Sequence, residues 1–235
     1  MKNLEIIYED NDILVCHKPA GIATQTKRLG QQDMESMLKN YRAQKGEQPY
    51  IGIIHRLDQP VEGIMVFAKN QKSASALSKQ IQSKMIGKYY YAVSAYKPKE
   101  EKGVLENYLI IDKKTNFTQV IEEIEPPQDC NSGKQNQKKE KNAKLAKLEY
   151  HVVAFIEEKT LFDIKLYTGR QHQIRVQMAH MGCPLVGDSK YGIKSQETLA
   201  LCSYRLQFQH PTTKKQMDFC IFPKGEPFQA FLLIK

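Results

Sequence analysis

The feature that most restricts how this chain can fold is a long series of strand-forming segments in its middle. Residues 88–96 (KYYYAVSAY) are aromatic and β-favouring, and the patterns at about 104–111, 117–124, 147–156 and 160–167 predict four further strands. Earlier, alternating stretches at about 4–8 and 13–16 flank the turn-forming residues 9–12 and predict a hairpin, which Lys18-Pro19-Ala20-Gly21 ends. Residues 51–54 and 64–68 are short, nearly continuous apolar runs, the pattern of strands covered on both faces. Helical spacing occurs in two places. After Asn70, a good N-cap, Ala74, Leu77, Ile81 and Met85 form one apolar stripe and predict a helix over about 71–84. Ile174, Met178 and Met181 predict a second over 172–181, stopped by Gly182 and Pro184. No internal repeat is evident.

A chain of 235 residues with 41% apolar residues can bury one sizeable core, so a single domain over 1–235 is expected. The net charge of +9 favours a polyanionic partner, nucleic acid or an anionic membrane surface, because clustered Lys and Arg release counterions from phosphates. No run approaches the ~20 apolar residues of a membrane span, and the opening segment has acids where a signal peptide would be apolar. A cytoplasmic protein with no membrane partner is expected. The five cysteines are scattered without a disulfide framework or zinc-ligand spacing, which predicts free thiols and no metal. Between about 125 and 145 the composition turns to Pro, Asn, Gln, Gly and Lys, which cannot form core. From 133 to 147 six Lys stand against one Glu, so this loop or insertion supplies +5 of the +9. It reads as a solvated hairpin tip that is also able to contact RNA.

The run His55-Arg56-Leu57-Asp58 places a carboxylate two residues after an arginine, beside a buried strand. A carboxylate in a dry site needs a cationic partner to stay ionised. On spacing alone, a turn Asp with a structural Arg contact is the favoured account of the run.

Three longer stretches alter that balance. They are IIHRLDQPVEGIMVFAKN (53–70), GKYYYAV (87–93) and LYTGRQHQIRVQMAHMGCPLVGDSKYG (166–192), and together they resemble the RluA-like family of RNA pseudouridine synthases. VCHKPAG (15–21) and LCSYRLQFQHP (201–211) extend the likeness to nearly the whole chain. His55 stands where the related RsuA-like branch usually has Gly. Val61-Glu62 departs from the Thr-Ser that often precedes the family's glycine, here Gly63, which leaves substrate choice open.

The resemblance implies an α+β fold, a mixed, mainly antiparallel bent sheet flanked by helices and loops. It implies Asp58 as the attacking aspartate, Tyr90 as the active-site tyrosine of a Lys-x-Tyr motif, and Arg175 as the basic partner of the aspartate. Pseudouridine formation breaks the N1–C1′ bond, turns the uracil and joins C5 to C1′, so no redox cofactor or nucleotide is expected. Attack at C1′ of the ribose and at C6 of the uracil both remain open. Tyr90 would stack on a flipped uracil, with its hydroxyl able to help remove the C5 proton after rejoining, and Leu201 would line the pocket. Arg56, two residues from Asp58, would share its face and either fill the place of the flipped base or bind phosphate. Lys18, Arg170 and His172 are the remaining expected RNA contacts, with a satisfied structural histidine an equal reading of His172. The expected partner is structured RNA, an rRNA or tRNA stem-loop, met by a monomer. The chain begins directly with the catalytic segment, so a separate amino-terminal S4 module is expected to be absent. Two rivals are a noncatalytic RNA-binding protein of the same fold and a hydrolase pairing Asp58 with Glu62.

Overall fold

The computed structural model describes residues 4–28, 30–121, 142–193 and 195–231. Most of the lysine-rich segment and the end of the strand expected at 117–124 lie outside the described residues.

The chain opens with the expected hairpin, β1 (Glu5–Glu9) and β2 (Ile13–Lys18), whose turn closes when Asp10 Oδ1 accepts the N–H groups of Asp12 and Ile13. Then come α1 (Met34–Gln44), the two-residue β3 (Gly52–Ile53), β4 (Glu62–Ala68) and α2 (Gln71–Gln82). Asn70 caps α2 as its sequence predicts, its side chain accepting Ser73 N–H at 2.8 Å. That helix stops at Gln82, so Met85 is not on the core stripe but 54% exposed. The helix α1 has no counterpart in the sequence expectations.

Five strands follow: β5 (Gly87–Ser94), β6 (Lys102–Asp112), β7 (Phe117–Ile121), β8 (Lys144–Ile156) and β9 (Lys159–Leu166). The expected second helix is α3 (Gln173–His180), and β10 (Leu201–Gln209), β11 (Gln216–Cys220) and a 3₁₀ turn (Glu226–Phe231) end the described chain.

All eleven described strands join one sheet in the order β1-β2-β4-β10-β5-β9-β8-β6-β7, with β3 on β4 and β11 on β10. Among them only β4 and β10 run parallel. The architecture is therefore α+β, a mixed and mainly antiparallel sheet with few helices.

The apolar run of β4 is covered on both faces, and its period of two sorts it cleanly. Met65 and Phe67 join one core with Leu14, Cys16 and Leu38, whereas Ile64, Val66 and Ala68 join another with Ile13, Val15 and Leu77. Leu57, Tyr90, Ile174 and Leu201 all belong to the first core. The elements carrying the expected site thus meet on one face of the sheet. No helix of the described residues is long and apolar enough to cross a membrane.

Candidate active site

Asp58 comes from a segment that lies outside the strands, so its backbone is held by other means. The buried Thr24 hydroxyl accepts Leu57 N–H at 3.2 Å and donates to Leu57 O at 3.0 Å. One residue beyond Asp58, Gln59 O accepts from Gly21 N–H at 2.9 Å and from the Lys18 ammonium at 3.2 Å. Lys18 also donates to Ile22 O at 2.6 Å and to Pro19 O at 3.2 Å. Its side chain is fully buried, which corrects the expectation of an RNA contact: a charge withdrawn from solvent and hydrogen-bonded to three carbonyls supports the Asp58 turn and is not presented to a ligand.

Leu57 packs into the core, and Arg56 and Asp58 on either side of it line a cleft of about 1080 Å³. Arg56 is exposed, and the Asp58 side chain retains 35% exposure. From β5, Tyr90 reaches the cleft wall while only 6% exposed. Burial, reinforced by the nearby Asp58 charge, pushes its phenol above the ordinary value, so it is a neutral donor at neutral pH. Leu201, the first residue of β10, lines the same cleft from the adjacent strand.

Arg175 stands on α3 with its guanidinium buried. Its Nη1 is 3.9 Å from Asp58 Oδ2, but its closest carboxylate is another: Nε and Nη2 donate to Asp188 at 2.8 and 2.6 Å. Burial would raise the Asp188 carboxyl, yet the Arg175 guanidinium outweighs it and holds the group below its ordinary value. Asp188 therefore keeps Arg175 aimed. His172 stands beside Asp58, with Nε2 3.9 Å from Asp58 Oδ2 and Nδ1 2.8 Å from Tyr191 Oη. Burial depresses its imidazole, with Asp58 pulling the other way. Arg170 is the expected rim residue: it is exposed on the cleft edge, held through Nε to Leu145 O at 2.9 Å.

Glu62 does not line the cleft. It is 4% exposed and its carboxylate accepts the N–H groups of Lys224 and Gly225, anchoring the carboxyl-terminal segment. The paired-carboxylate hydrolase loses its second acid.

Four contributors escaped the sequence reading: Thr24, Lys88, Asp188 and Tyr191. Lys88 lines the cleft and its ammonium is depressed by burial. It is the lysine of the Lys-x-Tyr motif, and Asp188 and Tyr191 fall within the stretch 166–192, so the signal for these three was present in the motifs. Nothing in the sequence marks Thr24.

Residues 12–180 match the family described as RNA pseudouridylate synthase. The dual-specificity RNA pseudouridine synthase RluA of Vibrio vulnificus is 34% identical over 212 residues, which cover 88% of this chain and 78% of that protein. An uncharacterized RNA pseudouridine synthase of Helicobacter pylori is 30% identical over 227 residues, covering 92% of this chain but 65% of the relative. YhcT of Bacillus subtilis, an uncharacterized RNA pseudouridine synthase, is 33% identical over 215 residues, again 65% of its length. The chain thus spans just under two thirds of the Helicobacter and Bacillus relatives and more than three quarters of RluA. Among solved structures, human RNA pseudouridylate synthase domain containing 1 superposes with a TM-score of 0.74 at 20% identity over 98% of this chain and 86% of the other. Domain containing 4 gives 0.72 at 19% over 94% and 89%. At such identities the likeness is one of fold.

Proposed function

The chain belongs to the RNA pseudouridylate synthase family, and from that premise we propose that it isomerises particular uridines of structured RNA, ribosomal or transfer, to pseudouridine, with Asp58 as nucleophile. The observation that carries this reading is the company Asp58 keeps: a half-exposed carboxylate in a cleft, faced by the buried Arg175 guanidinium and walled by Tyr90 and Leu201.

The cleft volume of about 1080 Å³ is at the upper end of small-ligand sites, typically ~300–1,000 Å³, and suits one extruded nucleotide with its flanking backbone. A uridine in a stem exposes neither C1′ nor C6, so it must leave the stack at a cost of a few kcal/mol. Arg56 is exposed on the cleft beside Asp58, a position that suits either insertion into the vacated place or a phosphate contact. Arg170 at the rim suits the phosphate backbone.

Within the cleft, Arg175 favours the ionised Asp58, which attacks C1′ or C6 and lets the uracil detach, turn and rejoin through C5. Tyr90 offers a ring face to the base. Its hydroxyl, neutral at the cleft wall, is the group that would help take the C5 proton after the bond to C1′ has formed.

The test is conversion of uridine in total RNA from a strain lacking the gene. The wild-type protein should form pseudouridine, and Asp58→Asn should form none while folding normally and still binding RNA. Unchanged conversion by Asp58→Asn would overturn the nucleophile; RNA binding without conversion by the wild type would favour a noncatalytic protein.

A further inference from the structure

His172 is oriented by more than its place in the chain. It precedes α3 with φ of +52°, a left-handed conformation uncommon outside glycine, and it makes no capping bond to the helix. Its ring instead spans Tyr191 and Asp58. The Tyr191 hydroxyl accepts Thr118 N–H from β7 at 2.9 Å and lies 2.8 Å from His172 Nδ1, so its own proton is available to that nitrogen. A neutral imidazole that accepts at Nδ1 carries its proton on Nε2, and Nε2 is the atom facing Asp58 Oδ2.

Arg175 faces that same oxygen. Its Nη1 and His172 Nε2 both stand 3.9 Å from Oδ2, and the other guanidinium nitrogens are taken by Asp188. Tyr191 touches both groups, with its ring 5.3 Å below the Arg175 guanidinium and edge-on to His172 at 5.6 Å between centroids. Asp188 Oδ1 in turn accepts Tyr191 N–H at 3.1 Å. One loop thus sets two donors on one oxygen of the carboxylate. Separations of this length are those that shorten to hydrogen bonds once a substrate closes the site.

We propose that His172 is a positioning residue, locked by Tyr191 as the Nε2–H tautomer, which with Arg175 grips one oxygen of Asp58 and leaves the other as the attacking atom. This rests on the reading of Asp58 as nucleophile. With Tyr191 unable to donate, the ring is free to carry its proton on Nδ1, and a lone pair then faces the carboxylate.

The experiment has two parts. Nitrogen-15 NMR of the free wild-type protein should show His172 neutral with its proton on Nε2, and Tyr191→Phe should shift it toward the Nδ1–H form. That readout is independent of whether the protein makes pseudouridine. In single-turnover assays at saturating RNA, Tyr191→Phe and His172→Leu should each slow conversion ~10- to 100-fold, the value of a hydrogen bond to a charged group. His172→Gln, whose amide N–H replaces Nε2–H, should recover much of that loss, and the RNA Kd should change little in all three. An Nδ1–H or doubly protonated His172 in the wild type overturns the proposal. So does equal slowing by Leu and Gln, or a loss confined to RNA affinity, which would return His172 to the role of RNA contact. Full conversion by Asp58→Asn would instead remove the nucleophile and leave the tautomer result standing.

Discussion

Arg175 serves two carboxylates in different ways, and its energetics follow from the difference. With Asp188 it forms a two-pronged pair in which neither side chain meets appreciable solvent, the Arg175 side chain being 8% exposed and that of Asp188 0%. With Asp58 it has one longer approach. Removing a partner from a buried pair strands the remaining charge, so Asp188→Asn should lower stability by about 3–5 kcal/mol in urea denaturation. It should also slow conversion, because the guanidinium released from Asp188 no longer holds its aim. Arg175→Lys should lose activity although the charge is kept, since an ammonium cannot engage Asp188 with two parallel bonds and still face Asp58. At this scale the sequence motifs single out residues that share one cleft but not the groups that support them. Asp58, Tyr90, Arg175 and Leu201 line one cleft as their motifs imply. Lys18 was misread for a physical reason: a lysine in a motif reads as a surface cation, and nothing in the letters tells that three carbonyls converge on its ammonium. His172 lies 3.9 Å from Asp58 because of an unusual backbone angle, which also leaves no trace in spacing.

Among elements, the parallel pair β4–β10 matters most to the site, since it joins β4, which follows the Asp58 segment, to β10 and through it to β5, the strands whose Leu201 and Tyr90 line the cleft. The pair depends on Gly63. Its φ is +139°, and a Cβ there would stand 2.5 Å from the backbone N and O of Ser203, well inside contact distance. Gly63→Ala should therefore push β10 from β4, costing roughly 2–5 kcal/mol from steric crowding and backbone strain together. Denaturant unfolding would measure this cost. A slowed single-turnover rate, though Gly63 touches no substrate, would report the displaced cleft wall. A stability within about 0.5 kcal/mol of wild type would show that the strands accommodate the methyl group. Elements were legible where pattern and cap agreed. The helix α2 has Asn70 in front and a clear stripe behind it, and only its last turn was overdrawn, at Met85. The helix α1 was not legible because its buried face mixes Met34, Met37 and Leu38 with Arg42. Arg42 is tolerated there because it donates to Glu47 and to the carbonyls of Tyr50 and Lys69, a network no periodicity reveals. Its capping box also uses Ser36 where the usual signature has Glu or Gln, so the start of the helix carried a weak signal. Asp33→Ala should cost about 1 kcal/mol, read by thermal or chemical unfolding.

For the whole molecule, the distribution of buried ionisable groups dictates how stability responds to acid. His55 is the main sensor. Its Nε2 accepts the N–H of Val66 from β4 at 3.3 Å, so the ring must be neutral with its proton on Nδ1. Its partial burial at the cleft wall, with the Lys88 charge adding, depresses the group to about 3. An unfolded histidine titrates near ~6.5, so between roughly pH 6.5 and 3 the unfolded chain binds a proton that the folded one refuses. Stability is then fully present above about pH 6.5 and falls on acidification by up to ~1.4 kcal/mol per pH unit from this group. His172, also depressed by burial, adds in the same direction. A second loss follows at lower pH. Glu9 is held at about 2 by Lys69, Tyr41 and Lys45 against the opposing effect of burial, so its contribution is present above the ordinary carboxylate range and disappears as pH falls toward 2. Urea titrations from pH 8 to 4 should therefore show stability declining below about pH 6.5, before most carboxylates are protonated. His55→Gln, which keeps an acceptor for Val66 N–H without a titrating ring, should flatten the decline between pH 6.5 and 5. A flat wild-type profile across that interval would mean that the imidazole meets no penalty on charging, and that solvent reaches it.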